Sequence, residues 1–492
     1  MFSRIIIVFI VSFVGLGVAA GQTGSVQISE ASLAELFKKS QNSRFLSLKA
    51  EELMMSFHEA SFQDQFRPVL NGHSGLSENL MKPYQQGQVR SSPVFSTGLS
   101  LSQALSKGLR WEAGLTGGQR RDLINLPGMD ASNKFFWSPE LSLTVDLWKD
   151  FLGRSTGLSE ASVAYKKEMS EIQTDLEKKL LFNQVRRIYW ELVALEDKRK
   201  IITGLQKSAE ALTKLSKKKE RLSVADQGEV ALNQAQLAQR TAQLTELDYQ
   251  HTMLTKTLSE LIPELNGKTI GVRLPDLMTE RTKILQCTQK ISSFPEFPKS
   301  YSLYSTLSAL LDKDLAVQTE LNRTYGKPDL YFKGSWKNQN SNEKNTDAFR
   351  DSWKENQLES NYVIGLTVPL GPRDKAREYQ VQAAEYQTKA KVQAWAERMQ
   401  AGHSSVLDQI KYLNLVLEEQ KRNSAFLDSR LKSSKQKFEQ ARLDASVLIL
   451  DQERMMNTDL SIISLQLQVV NVLLSYFDLY TDFPCEFNEF NI

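Results

Sequence analysis

The chain has 492 residues, of which 61 are basic and 58 acidic, with 24 glycines and 13 prolines. Charges this closely balanced give no net field directed at nucleic acid or at an anionic surface. The length allows several compact domains, but the order of elements argues for two copies of one long unit.

The first four residues, Met1 to Arg4, form a short basic start, Ile5 to Val18 is apolar, and Ala19, Ala20 and Gly21 supply the small residues a signal peptidase needs. Residues 1–21 therefore read as a secretory signal. The apolar run falls short of the roughly 20 residues that cross a bilayer as a helix, so cleavage is favoured over a retained anchor. The two cysteines, Cys287 and Cys485, lie far from the cleavage site, which argues against a lipid-modified amino terminus.

Residues 22–270 form a first repeat, with a leading helix, strands within 69–148 and a helical hairpin over 155–261. In the strands, Leu109, Trp111, Ala113 and Leu115 alternate with polar neighbours or glycine, and Leu141, Leu143, Val145 and Leu147 do the same. Period two with one apolar side means strand. From Ser155 to Lys219 there is no proline, and Val185, Ile188, Leu192 and Leu195 recur at steps of three and four. This predicts one helix of about 100 Å at 1.5 Å per residue, which needs partner helices. Val224 to Leu261 supplies one, ending before Pro263, so the two form an antiparallel hairpin.

A linker at 271–300 precedes a second repeat at 301–480, with strands within 329–370, a helical hairpin over 373–479 and a tail at 481–492. Its strands show Leu330, Phe332, Gly334 and Trp336, then Tyr362, Ile364, Leu366, Val368 and Leu370, joined by a polar stretch at 337–361 that reads as an exposed loop. The return arm carries Leu460, Ile463, Leu467, Val470, Leu474 and Phe477, the spacing of a coiled-coil seam. Glu220, Arg221 and Leu222 stand 221 residues before Ala441, Arg442 and Leu443, so the chain reads as an internal duplication.

A soluble β-sandwich shows the same strand alternation as a membrane barrel. So few strands cannot close a barrel alone, because about eight is the minimum, so several chains would have to share one. Trp111, Trp137, Trp148, Trp336 and Trp353 fall in or beside the strands, as an interfacial girdle requires, although burial explains any single one. His58, His73, His251 and His403 are isolated, and no nucleophile or metal constellation appears. The chain reads as a non-enzyme without cofactor, metal or nucleic-acid partner.

Two copies of helix, strands, long helix and return helix behind a secretory signal resemble the TolC-like outer-membrane efflux family over nearly the whole mature chain. That family joins each long helix to its return helix by Gly, five variable residues, Asp, Val, Leu. Glu220 to Asp226 occupies this turn in the first copy and Lys437 to Leu443 the second, with Glu220 and Ala441 replacing glycine and Val447 standing where aspartate is expected. Gly365, Leu366, Thr367, Val368, Pro369 and Leu370 match the family's strand ending in proline before the second long helix.

The resemblance implies a mixed α and β membrane protein. Long antiparallel coiled-coil hairpins would form an α-barrel in the periplasm, and the strands would enter a shared trimeric transmembrane β-barrel in outer-membrane lipid. The partners implied are two further copies, a periplasmic adaptor and an inner-membrane RND or ABC pump, for efflux of small molecules or secretion of proteins. The family has four strands per protomer and twelve per barrel. Here a further hairpin, Val94 to Leu105 and Gly108 to Gly117, either enlarges the barrel or extends beside it.

The tip, with Arg221, Leu222, Ser223, Asp226, Arg442, Leu443 and Asp444, is where such a channel opens and meets its adaptor; the alternative is a set of solvated turn residues. Asp226, Glu229, Asp444 and Asp451 are candidates by position for an acidic aperture that favours cations. Lys217, Lys218 and Lys219 suit the carboxyl end of a helix dipole. Cys287 and Cys485 fall in segments the family brings together at the tunnel's waist, where an oxidising periplasm permits a disulfide. The nearest rival is a periplasmic adaptor, which usually carries one hairpin flanked by compact β-domains.

Overall fold

The computed structural model describes residues 25–40, 42–76, 89–124, 132–222, 226–272, 286–293, 302–325, 327–354, 358–368, 375–440 and 442–480. The secretory signal at 1–21 and the tail at 481–492 lie outside the described residues. In chain order the first repeat contains β1 (Ser25–Ile28), α1 (Glu30–Lys39), α2 (Ser43–Asp64), β2 (Val69–Leu76), β3 (Val89–Leu105), β4 (Leu109–Ile124), β5 (Ser132–Asp146), α3 (Arg154–Arg221), α4 (Gln227–Leu261) and β6 (Thr269–Val272). After a short helix α5 (286–292), the second contains α6 (Leu303–Tyr325), β7 (Asp329–Asn338), β8 (Asn340–Asn342), α7 (Asn345–Asp351), β9 (Leu358–Thr367), α8 (Lys375–Glu439) and α9 (Ala445–Leu479). The chain divides into two compact units, one of Met1–Phe45, Lys178–Glu296 and His403–Ile492, the other of Leu46–Glu177 and Phe297–Gly402.

The first unit is helical, and its core follows the spacing in the sequence. Val185, Ile188, Leu192 and Leu195 of α3 are all buried, as are Ile463, Val470, Leu474 and Phe477 of α9, while Leu460 and Leu467 are half-buried. α9 is long and apolar enough, by length and composition, to cross a bilayer, but thirteen of its residues are buried in the protein. Burial at steps of three and four marks a packing seam. α1 starts on a capping box: Ser29 Oγ accepts from Ser32 N at 3.2 Å and Ser32 Oγ from Ser29 N at 2.8 Å. Glu30 then pairs with Arg186 of α3, both 3% exposed, and Arg186 also lies 5.4 Å from the Phe477 ring centroid.

Two features of this unit differ from the sequence reading. β1 and β6 form a parallel pair, Val26 beside Ile270 and Ile28 beside Val272. Four residues each are too few to show alternation. The segment 271–300 is also more than a linker, since β6 ends within it and α5 buries Cys287 and Ile291.

The second unit carries an antiparallel sheet in the order β2-β3-β4-β5-β7-β9, with β8 beside β5. The expected extra hairpin is present as β3 and β4, with 17 and 16 residues, and it pairs inside the sheet. Its three-residue turn uses Gly108 at φ +71, and Gly153 at φ +81 packs against that turn, where a Cβ would stand 2.1 Å from the Ser106 carbonyl oxygen. Asp150 holds the same corner, accepting from Thr156 N at 2.9 Å and Ser155 Oγ at 2.7 Å, so the start of α3 is fixed to the end of the sheet.

The stretch 337–361, expected as an exposed loop, is instead partly ordered. β7 and β8 keep one register along β5 and break where Pro139, which lacks an N–H, would face Asn338. α7 then folds back, because the Asn338 amide donates to the Lys354 carbonyl at 2.7 Å and the Asn340 amide to the Asp351 carbonyl at 3.1 Å. Those side chains tie the carboxyl end of the helix, and the turn after it in which Lys354 N also donates to the Asp351 carbonyl at 3.1 Å, to the strands.

Candidate channel wall and helical tips

Residues directly opposed in an antiparallel ladder share a face, so the registers carry each face across the whole sheet. One row runs Leu70, Leu101, Ala113, Leu141, Trp336 and ends at Ser360, and another runs Leu105, Leu109, Val145, Phe332, Ile364. On the opposite face the rows read Val69, Ser102, Glu112, Ser142, Ser335, Asn361 and Asn71, Ser100, Gly114, Glu140, Lys337, Glu359, polar apart from Val69 at the edge and Gly114. The sheet thus has one apolar and one polar face. The apolar one is open, with Leu70 at 67%, Leu99 at 60% and Ile364 at 72% exposure. A soluble protein rarely leaves so wide an apolar surface bare.

Aromatic side chains on this face sit at two levels. Trp111 is close to the β3–β4 turn, and Trp137 lies opposite Gly117, six residues further along β4 or about 20 Å at 3.4 Å per residue. Gly117 is required there, since a Cβ would meet the Trp137 ring at 2.5 Å. Trp137 donates to Asn345 Oδ1 at 2.7 Å and packs edge-on with Phe349, so α7 covers the level farther from the β3–β4 turn. Trp148 and Trp353 are exposed just beyond the strands.

The tips belong to the helical unit. Arg221 and Leu222 are exposed where α3 ends, and Ser223 lies outside the described residues. Asp226 takes the cap position of α4 without a side-chain hydrogen bond, and Glu229 is half-buried in the first turn. In the second hairpin the Arg442 N–H donates to the Lys437 carbonyl at 2.8 Å, Leu443 is half-buried, and Asp444 caps α9 by accepting from Ser446 N at 3.0 Å. Lys219, expected only to suit the helix dipole, holds its ammonium 5.5 Å from the centre of the Phe438 ring, which brings the two tips together.

Asp451, expected by position at an acidic aperture, is buried instead. It is 2% exposed, 2.8 Å from Arg430 Nε, and accepts from Ser434 Oγ at 2.7 Å, so it faces the inside of its own hairpin. Burial alone raises its carboxyl, but the bonds from Ser434 and Arg430, with the charges of Arg430 and Arg454, outweigh burial and bring it below the ordinary carboxylate value. The sequence reading also missed Arg240 of α4, which is buried and reaches Met456 Sδ at 3.2 Å and Glu453 at 3.3 Å on α9. A single arginine in a polar helix gives no signal of this in sequence.

Cys287 is buried and disulfide-bonded, while Cys485 lies outside the described residues. His403 is 5% exposed beside the stacked Tyr476 and Tyr480 rings, and burial pushes the Tyr476 hydroxyl up to about 12. Among the described residues no three His, Cys, Asp or Glu side chains meet in an arrangement that holds a metal ion.

No protein-family model and no curated protein matches the chain. Solved structures do. The outer membrane protein VceC of Vibrio cholerae matches at a TM-score of 0.61 and 12% identity, covering 91% of this chain and 95% of that one. The Campylobacter jejuni outer membrane channel CmeC matches at 0.58 and 10%, covering 94% and 90%. The open state of the Neisseria gonorrhoeae outer membrane channel MtrE matches at 0.58 and 12%, covering 91% and 88%. At such low identity the likeness establishes the fold of one copy, helical with a sheet-containing part, as the sequence resemblance implied for each protomer.

Proposed function

We propose, from the fold it shares with these outer-membrane channels, that the chain is one protomer of a trimeric conduit across the periplasm and outer membrane. Small molecules or secreted proteins pass through it, and the helical tips dock on a periplasmic adaptor fed by an RND or ABC pump in the inner membrane. The observation that carries this reading is the sheet, in which a bare apolar face for lipid backs onto a polar face suited to an aqueous lumen. Arg221, Asp226, Arg442 and Asp444, all exposed at the tips, are the groups offered to an adaptor.

The test is to express the chain with its own amino-terminal segment, separate inner from outer membranes, and measure the mass of the detergent-extracted particle by light scattering. A trimer in the outer membrane is expected. A soluble periplasmic species, or one confined to the inner membrane, overturns the channel reading and favours the adaptor.

A further inference from the structure

We infer that the hairpin β3–β4 is inserted in the membrane wall itself, so that three copies close a barrel of 18 strands rather than twelve. This rests on the channel reading. Six strands lie on one hydrogen-bonded path in each copy, and three copies give the count.

Three observations carry it. First, the hairpin stands between β2 and β5 in the sheet, not at its margin. Removing it from the wall would break the ladders Val69 to Ser102 and Leu109 to Val145 at once. Second, the two faces run through the hairpin without a change of side. Phe95, Leu99, Leu101 and Leu105 of β3 are exposed on the same face as Leu141 of β5 and Ile364 of β9, while Ser100, Ser102 and Glu112 fall on the polar face. A hairpin lying beside a barrel in water has no reason to keep that division. Third, among the described residues β2 pairs only with β3 and β9 only with β7, which leaves two bare edges of eight and ten residues.

A second copy of this chain is the occupant these edges fit. Six antiparallel strands are an even number, so β2 and β9 run in opposite directions and the β2 edge of one copy meets the β9 edge of the next in antiparallel sense. The apolar faces also agree across that seam, with Leu70 and Leu76 on one side and Tyr362, Ile364 and Leu366 on the other. Closure satisfies backbone groups that lipid cannot. Barrel diameter grows about linearly with strand number, so the lumen is about half as wide again as a twelve-stranded one.

The experiment uses the full chain, purified and reconstituted in phosphatidylcholine vesicles with and without brominated acyl chains. Single cysteines carrying a bimane fluorophore are placed at Leu99→Cys and Ser100→Cys on β3, with Leu141→Cys and Ile364→Cys as reference positions. The inference expects severalfold quenching by brominated lipid at Leu99→Cys, equal to that at both references, with Ser100→Cys unquenched and open to a membrane-impermeant maleimide. Quenching at Leu141→Cys and Ile364→Cys without quenching at Leu99→Cys overturns the enlarged barrel and leaves the channel. No quenching at any of the three overturns the channel reading itself. Asn71→Cys, combined in turn with a cysteine at each position from 360 to 364, is expected to give covalent trimers on oxidation; failure at every pair overturns closure by a second copy.

Discussion

The return helices α4 and α9 hold the same place in the duplicated plan and have 35 residues each, yet six residues of α4 are buried against thirteen of α9. The difference lies in the side chains. α9 brings Leu448, Ile449, Ile463, Val470, Leu474 and Phe477 to its buried side, whereas α4 leaves Leu232, Tyr249 and Met253 exposed. α9 also receives the polar contacts of the helices around it, from Arg240 of α4 and from Ser208 of α3, whose hydroxyl accepts from the Gln452 amide at 3.0 Å. Two copies of one backbone plan have thus divided the work, one return helix supplying the inner packing and the other an outward surface.

The sharpest way to break this comparison is to shorten one leucine on each helix. Leu474 is 1% exposed, and Leu474→Ala removes buried methyl groups and leaves a cavity, at a cost of about 2–5 kcal/mol. Leu232 is 41% exposed, and Leu232→Ala is expected to cost about 0.5 kcal/mol or less. Guanidinium unfolding of the purified protein, followed by its helical signal, reads both. Equal losses would mean that α4 is as much a core helix as α9.

Both hairpins were legible in the sequence because long helices leave a long record: many repeats of the three and four spacing, no proline, and prolines just beyond. The sheet's faces were legible for the same reason, at Leu109 to Leu115 and Leu141 to Leu147. What stayed hidden depends on partners distant in the chain. Four-residue strands such as β1 and β6 are too short to show a period, and their pairing joins positions 25 and 269. α7 formed in a stretch that composition marked as loop, because Asn338 and Asn340 bond to its carboxyl end. Asp451 was misplaced for a like reason: its distance from the tip suggested an aperture, but the arginine and serine that bury it stand on the other arm of the hairpin.

That aspartate sharpens the comparison further. Seven residues after each cap aspartate, α4 buries the neutral Asn233 and α9 the charged Asp451. Thr213 and Ser434 face them from corresponding positions, but Thr213 Oγ1 reaches only the Asn233 main-chain carbonyl, at 3.1 Å, whereas Ser434 Oγ donates to the Asp451 carboxylate at 2.7 Å. Asp451→Asn should therefore cost about 1.5–3 kcal/mol at neutral pH, the range for a hydrogen bond to a charged group. The folded carboxyl titrates below its ordinary value, so its stabilisation is complete above about pH 4 and fades as pH falls through the folded value. The gap between the native protein and Asp451→Asn should be constant near neutrality and narrow in acid. A gap that widens in acid would reverse the assigned direction.

The smallest expected effect separates the caps themselves. Asp444 accepts from Ser446 N at 3.0 Å, so Asp444→Ala removes a formed capping bond, worth about 1 kcal/mol. Asp226 makes no side-chain capping bond, which leaves only the attraction of its charge for the amino end of α4 and a loss of about 0.3 kcal/mol in Asp226→Ala. Amide exchange in the first turns of α9 and α4 reads the two separately. Faster exchange in α9 alone would show that the tip of the packed hairpin is fixed by its cap and that of the outward hairpin is not. An exposed Asp226 free of capping is then available to a docking partner, whereas Asp444 must break its own helix cap to serve one. Equal exchange in both variants would remove that distinction and make the two tips equivalent.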